Sequence, residues 1–149
     1  MTTVIPHLQV RNASEAVDFY AKTFGAKIQG KYAMPDGRIM HSCLLFEGGG
    51  MVFIADEFPE HGGKSPQTLG GTPVTIHLQV PDADAIFKQA VEAGCIPKME
   101  IQEMFWGDRY GCVTDPYGHS WSFGTTVKQV SPDELQAIIT SMGEMNCPA

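Results

Sequence analysis

No stretch of the chain approaches the roughly 18 consecutive apolar residues of a membrane-spanning helix, so none is expected here. Cysteine pairs are missing as well. Cys43, Cys95, Cys112 and Cys147 stand far apart with no Cys-x-x-Cys spacing, which removes the usual zinc-ribbon and dithiol redox motifs. Free thiols in a reducing compartment are the expectation. Basic residues are scarce. Ten Lys and Arg face 17 Asp and Glu, a net charge of -7, which argues against nucleic acid and against an anionic membrane surface as partner. Met1-Thr2-Thr3-Val4-Ile5-Pro6 has neither a basic region nor a long apolar run, so no signal peptide and a cytoplasmic location are expected. No Ser-His-Asp arrangement is visible from spacing, and Cys43 and Cys112 have no sequence-adjacent base to activate them.

What is present is a globular composition, 43% hydrophobic and only 18% charged, over a length that suits one domain or two small units sharing a core. Two units are favoured because the chain repeats itself. His7-Leu8-Gln9-Val10 returns unchanged as His77-Leu78-Gln79-Val80. Each copy is followed by a helix cap, Asn12 or Asp82, then by an apolar helix pattern, then by a glycine stop, Gly25 or Gly94. This order marks an internal duplication, in units too long for a stacked solenoid.

Strand alternation sets the faces. Leu8, Val10, Leu78 and Val80 point one way, under the helix that follows. His7, Gln9, His77 and Gln79 point the other way, to solvent or to a cavity. If two such units pair, these polar faces can meet across one cleft; ordinary solvated sheet faces would carry the same pattern.

The rest of the chain fits strand, helix, then three strands, twice. In the first unit, strands are expected over 4–10, 26–33, 39–46 and 51–55, with turns at Pro35-Asp36-Gly37 and Glu47-Gly48-Gly49-Gly50. In the second, strands are expected over 74–80, 96–101, 109–114 and 119–124, with a turn at Asp115-Pro116-Tyr117-Gly118. Module 1 therefore spans 1–57, a Pro- and Gly-rich linker 58–69, module 2 70–127, and a C-terminal helix and tail 128–149. The linker's Gly62-Gly63-Lys64-Ser65 is not a phosphate loop, because Phe58 stands where its first glycine belongs and Pro66 follows. The tail helix opens with Ser131 as N-cap and Pro132 at its first position, and carries an apolar stripe of Leu135, Ile138, Ile139 and Met142. Such a stripe packs on the body or on a second subunit, and a homodimer is expected.

These units, with Asp18-Phe19-Tyr20, Phe24-Gly25 and Asp115-Pro116-Tyr117-Gly118-His119, resemble the vicinal oxygen chelate superfamily of glyoxalases, bleomycin-resistance proteins and extradiol dioxygenases. Met40-His41, Gly63-Lys64-Ser65-Pro66-Gln67, Phe105-Trp106-Gly107-Asp108-Arg109-Tyr110-Gly111 and Val130-Ser131-Pro132 resemble its PhnB-like branch. The resemblance covers nearly the whole chain. It implies an α+β fold of two βαβββ modules in a U-shaped, incomplete barrel around a cavity, paired within or between chains. It does not fix a substrate, since the superfamily includes lyases, transferases, dioxygenases and simple binders.

Metal-dependent relatives place ligands on the first and last strands of each unit, which the resemblance maps here to Ile5, Ile54, Thr75 and Ser122. None is a competent ligand for a divalent ion, so no metal cofactor is expected at those positions. His7, His41 and His77 are the other ligand types on the polar faces, and orienting a bound molecule is the preferred role for them over holding a metal. Superposing the hairpin turns aligns Arg109 with His41, on the cavity side, where it would suit a carboxylate or phosphonate; a salt bridge to Asp108 is the alternative. Trp106, with Phe105, would cap the cavity mouth or belong to the core. Trp121 and Phe123 read as core. The expected function is binding of a small organic, preferably anionic, molecule by His7, Gln9, His41, His77, Gln79, Trp106 and Arg109. The alternatives are a metal-dependent glyoxalase-type lyase or isomerase, and a drug-sequestering protein.

Overall fold

The computed structural model describes residues 1–145. In module 1, β1 (His7–Val10) leads into α1 (Ala13–Phe24), then β2 (Lys27–Ala33), β3 (Ile39–Leu45) and β4 (Met51–Asp56). A 3-10 turn (Pro59–His61) and a one-turn helix, α2 (Pro66–Leu69), follow. Module 2 repeats the plan with β5 (Thr75–Gln79), α3 (Ala83–Glu92), β6 (Ile96–Glu103), β7 (Asp108–Thr114) and β8 (Ser120–Thr126), and α4 (Pro132–Met145) closes the described chain. The sheets run β1-β4-β3-β2 and β5-β8-β7-β6, with the first strand of each parallel to the last. The fold is α+β with two βαβββ modules, and His7-Leu8-Gln9-Val10 and His77-Leu78-Gln79 occupy equivalent strands. Cys147 and its neighbours lie outside the described residues.

The apolar halves of both patterns meet in one core. Leu8, Val10, Leu44 and Ile54 face α1, and Val113, Trp121 and Phe123 face the helix side of the second sheet. The aromatic seam between modules is close: Phe24 lies 4.5 Å from Trp121 and 5.7 Å from Phe123, and Tyr20 lies 5.1 Å from Trp121, between ring centroids. The helices therefore lie between the two sheets, and the polar sheet faces turn outward, away from the shared core.

Polar groups lock this seam. The buried carboxylate of Asp115 accepts from Tyr20 Oη, from Trp121 Nε1 at 2.7 Å, and from the backbone N–H groups of Tyr117 at 2.8 Å and His119 at 3.0 Å. Burial pushes the Tyr20 phenol well up, with the Asp115 charge adding to it, so Tyr20 stays a donor. Tyr117 Oη donates to Glu15 at 3.0 Å, and His119 Nε2 donates to the Gln9 carbonyl at 2.8 Å. The Asp115-Pro116-Tyr117-Gly118-His119 turn thus docks module 2 onto α1 and β1.

The linker is an ordered strap. Glu57 accepts from Arg11 Nε at 3.0 Å, from Ser65 N–H at 2.6 Å and from the Thr68 hydroxyl at 2.7 Å. Partial burial raises the Glu57 carboxyl, but these bonds outweigh it and bring it down to about 2. Arg38 sits 4.4 Å over the Phe58 ring and pairs with both Asp36 and Glu60, tying the β2–β3 turn to the strap.

Candidate functional site

Hydrogen-bond register shows which residues of the two modules correspond. His7 lies opposite Phe53, and His77 lies opposite Ser122. Phe53 pairs with Cys43, and Ser122 pairs with Cys112. The counterpart of Ser122 is thus Phe53, one residue from the expected Ile54, which is core. By the same register Tyr32 pairs with His41 where Gln102 pairs with Tyr110, and Ala33 pairs with Ile39 where Glu103 pairs with Arg109. Tyr110, not Arg109, is the counterpart of His41.

Arg109 therefore shares the side of the buried Ile39, facing the helices. Its guanidinium forks onto Asp84 of α3, Nε to Oδ2 at 2.8 Å and Nη2 to Oδ1 at 2.9 Å, and this hydrogen bonding holds the Asp84 carboxyl below its ordinary value. The expectation that Arg109 faces the cavity is corrected here: a one-residue slip in register moves a side chain to the opposite face. The salt-bridge alternative holds in kind, with Asp84 in place of Asp108.

On the outward face of module 2, three rings form a row. His77 stacks on Tyr110 at 5.9 Å with planes 21° apart, and Tyr110 meets Trp106 edge-on at 5.4 Å. Phe105 backs Trp106 at 5.0 Å. His77 is fixed through both nitrogens, Nδ1 to Ser122 Oγ at 2.8 Å and Nε2 to Gln79 Oε1 at 2.9 Å. Gln79 turns its amide nitrogen to Asp108 Oδ2 at 3.3 Å and Thr126 Oγ1 at 3.0 Å. A carboxylate only accepts, so Gln79 presents its oxygen to His77, Nε2 carries the proton, and Nδ1 accepts from Ser122. Gly124 permits this, because a Cβ there would stand 2.9 Å from Gln79 Oε1 and 3.0 Å from His77 Cε1. Lys98 Nζ, 3.5 Å from Ser120 Oγ, supplies a cation further along this sheet.

The outward face of module 1 carries a matching row. Phe53 lies 6.2 Å from His7 and 4.7 Å from His41, and Tyr32 stacks on His41 at 6.2 Å. Two cavities open beside it. One, of about 350 Å³, holds His7 and Gln9 under the strap; the other, of about 290 Å³, holds Gln29, Tyr32, His41 and Cys43. Gln9 Oε1 accepts from Lys64 N–H at 2.6 Å, and the strap comes so close that a Cβ on Gly63 would stand 3.0 Å from that oxygen.

The expected site residues thus divide within one chain. His7, Gln9 and His41 lie on module 1; His77, Gln79 and Trp106 lie on module 2; Arg109 lies on neither outward face. No β5–β8 residue lines either cavity. Tyr32, Phe53 and Tyr110 were not singled out from sequence, although alternation from His41 and His77 across paired strands would have reached them.

The donor set does not fit a glyoxalase-type metal. Phe53, Thr75 and Ser122 offer no imidazole, thiolate or carboxylate, and Thr75 bonds to Ser120 at 3.1 Å while Ser122 bonds to His77. Among the described residues, no group of three His, Cys, Asp or Glu side chains is placed to hold a metal. The three histidines do not converge, because His77 sits in the other module. Cys95 is buried, which pushes its thiol up to about 12 and makes it a poor nucleophile.

Two βαβββ modules with their helices in a shared core and their sheets open outward define a vicinal-oxygen-chelate-type fold. Residues 3–123 match the Glyoxalase/Bleomycin resistance protein/Dioxygenase superfamily, and the chain belongs to it. An uncharacterized protein of Mycobacterium tuberculosis is 47% identical over 142 residues, covering 93% of this chain and 83% of its own length. Among solved structures, a PhnB protein from Bacillus cereus superposes with a TM-score of 0.66 at 16% identity, covering 84% of this chain and 100% of its own. TnmS3, an antibiotic binding protein from a Streptomyces species, superposes with a TM-score of 0.63 at 20% identity, covering 85% of this chain and 97% of its own. At these identities the two structures share the fold alone.

Proposed function

We propose that this protein binds a small, flat organic molecule against the ring rows of its outward sheet faces, in a cleft completed by a second copy, without a divalent ion. The observation that carries the reading is the row His77, Tyr110 and Trp106, held in register by the Ser122–His77–Gln79–Asp108 chain of hydrogen bonds. Flat rings fixed in this way offer stacking faces and require little ordering on binding. The mixed donor and acceptor groups around them give orientation. With Arg109 committed to Asp84, Lys98 is the cation available to an acidic end of the ligand.

Binding without turnover is the form favoured here. Among the described residues, no nucleophile combines an oriented base with free access: Ser122 is 2% exposed beneath its partner His77. TnmS3, which shares this fold, is an antibiotic binding protein, and this supports the binding form. A thermal-shift screen of flat aromatic compounds, acids included, run with and without a chelator, tests the proposal. Ligands are expected to raise the melting temperature equally in both conditions. Stabilisation that vanishes with the chelator, or turnover of the bound compound, would replace this reading with metal-dependent catalysis.

A further inference from the structure

The two modules differ by an inserted residue that has no counterpart in module 2. Tyr32 pairs with His41 but Ala33 pairs with Ile39, so Met40 is left over as a bulge. In module 2 the same step is regular: Gln102 pairs with Tyr110 and Glu103 with Arg109. Bulges re-aim side chains beside functional sites. Here the bulge leaves Met40 57% exposed, on the wall of the larger cavity. Met34, His7 and, from the strap, His61 line the same cavity.

The carboxylates in that wall are already engaged. Asp56 accepts Ala13 N–H at 3.0 Å and Ile39 N–H at 2.7 Å, one on each oxygen, and Glu60 pairs with Arg38 at 2.7 Å. Gln9 has committed its oxygen to Lys64. Among the described residues no hydrogen bond engages the His7 or His61 ring, so two histidines and two methionines are the lining residues whose side-chain donors are uncommitted. Hard cations want oxygen ligands, and zinc wants thiolate, imidazole or carboxylate. Thioether sulfur with imidazole nitrogen is a donor set for soft, monovalent copper.

We propose that Met34, Met40, His7 and His61, gathered by the Met40 bulge and the 58–63 strap, form a binding site for one Cu(I) ion per chain. The site lies on module 1 and the strap and includes none of the module 2 rings. The test is anaerobic competition between the full chain, free of any histidine tag, and a coloured Cu(I) chelator, with methionine methyl resonances followed by NMR. The wild type should withdraw one ion per chain, with the Met34 and Met40 methyls shifting together. Joint Met34→Leu and Met40→Leu substitution keeps side-chain volume and should weaken retention about tenfold or more. His61→Ala, on an exposed strap residue, should weaken it comparably and serves if the double variant fails to fold. Unchanged retention in these variants, or retention lost only on Cys43→Ser, would overturn the proposal.

Discussion

Asp115 gathers four donors from both modules onto one buried carboxylate. The low dielectric there strengthens each bond and makes a missing partner costly. Tyr20→Phe leaves the carboxylate without its only donor from module 1. We expect it to lower unfolding stability by about 1.5–3 kcal/mol, the range for a hydrogen bond to a charged group, measured by urea denaturation. A loss within experimental error would mean that the Tyr20–Asp115 bond does not hold the modules together. Single residues were also where the sequence misled. The faces of His7, Gln9, His77 and Gln79 were legible, because Leu8 and Leu78 fix the alternation. Sequence alone places Arg109 on the wrong face because three successive glycines, 48–50, close the first hairpin. The one that matches Gly118 is Gly49, the two having the same φ of 92°. Taking Gly50 instead shifts the alignment by one residue and turns Arg109 from Asp84 to the cavity.

At the scale of elements, caps and periodicity marked nearly every helix and strand, since each uses local chemistry: Gly25 is left-handed at the end of α1, and Asp82 accepts Ala85 N–H at 3.1 Å at the start of α3. Sequence alone marks the strap only as a linker. Its Pro and Gly content signals turns, whereas its order comes from residues distant in sequence, Arg11 and Arg38. Glu57 makes this order dependent on pH. Its folded carboxyl lies at about 2, against an ordinary 4.5, so its stabilisation is complete above 4.5 and is lost as pH falls towards 2. Glu57→Gln should therefore melt below the wild type at neutral pH, with the gap closing as the medium is acidified to about pH 3. A gap that stays constant over that span would assign the strap's order to other contacts.

For the whole molecule, the decisive fact is that one chain turns its two ring-bearing faces away from each other. Half of the helix stripe is also left uncovered: in α4, Leu135 and Ile138 are half-buried, but Ile139 and Met142 are exposed at 46% and 37%. A second copy would cover both, so light scattering at micromolar protein should give a dimer mass; a monomer mass would leave each sheet face to act alone. The duplication made the two-module plan readable from sequence. It did not reveal how the modules pack, because that depends on the Tyr20, Phe24 and Trp121 seam, which spacing does not show. The row of His77, Tyr110 and Trp106 is the proposed ligand surface. Of the two tryptophans, Trp121 is fully buried and Trp106 stands in the row, so intrinsic fluorescence reports on the site. The most direct measurement is titration of a stabilising aromatic compound against this emission, in the wild type and in Tyr110→Ala. Saturable quenching of Trp106 is expected, with affinity reduced about tenfold in the variant, equivalent to about 1.4 kcal/mol. Equal affinity in the variant, with Trp106 emission unchanged on binding, would contradict it.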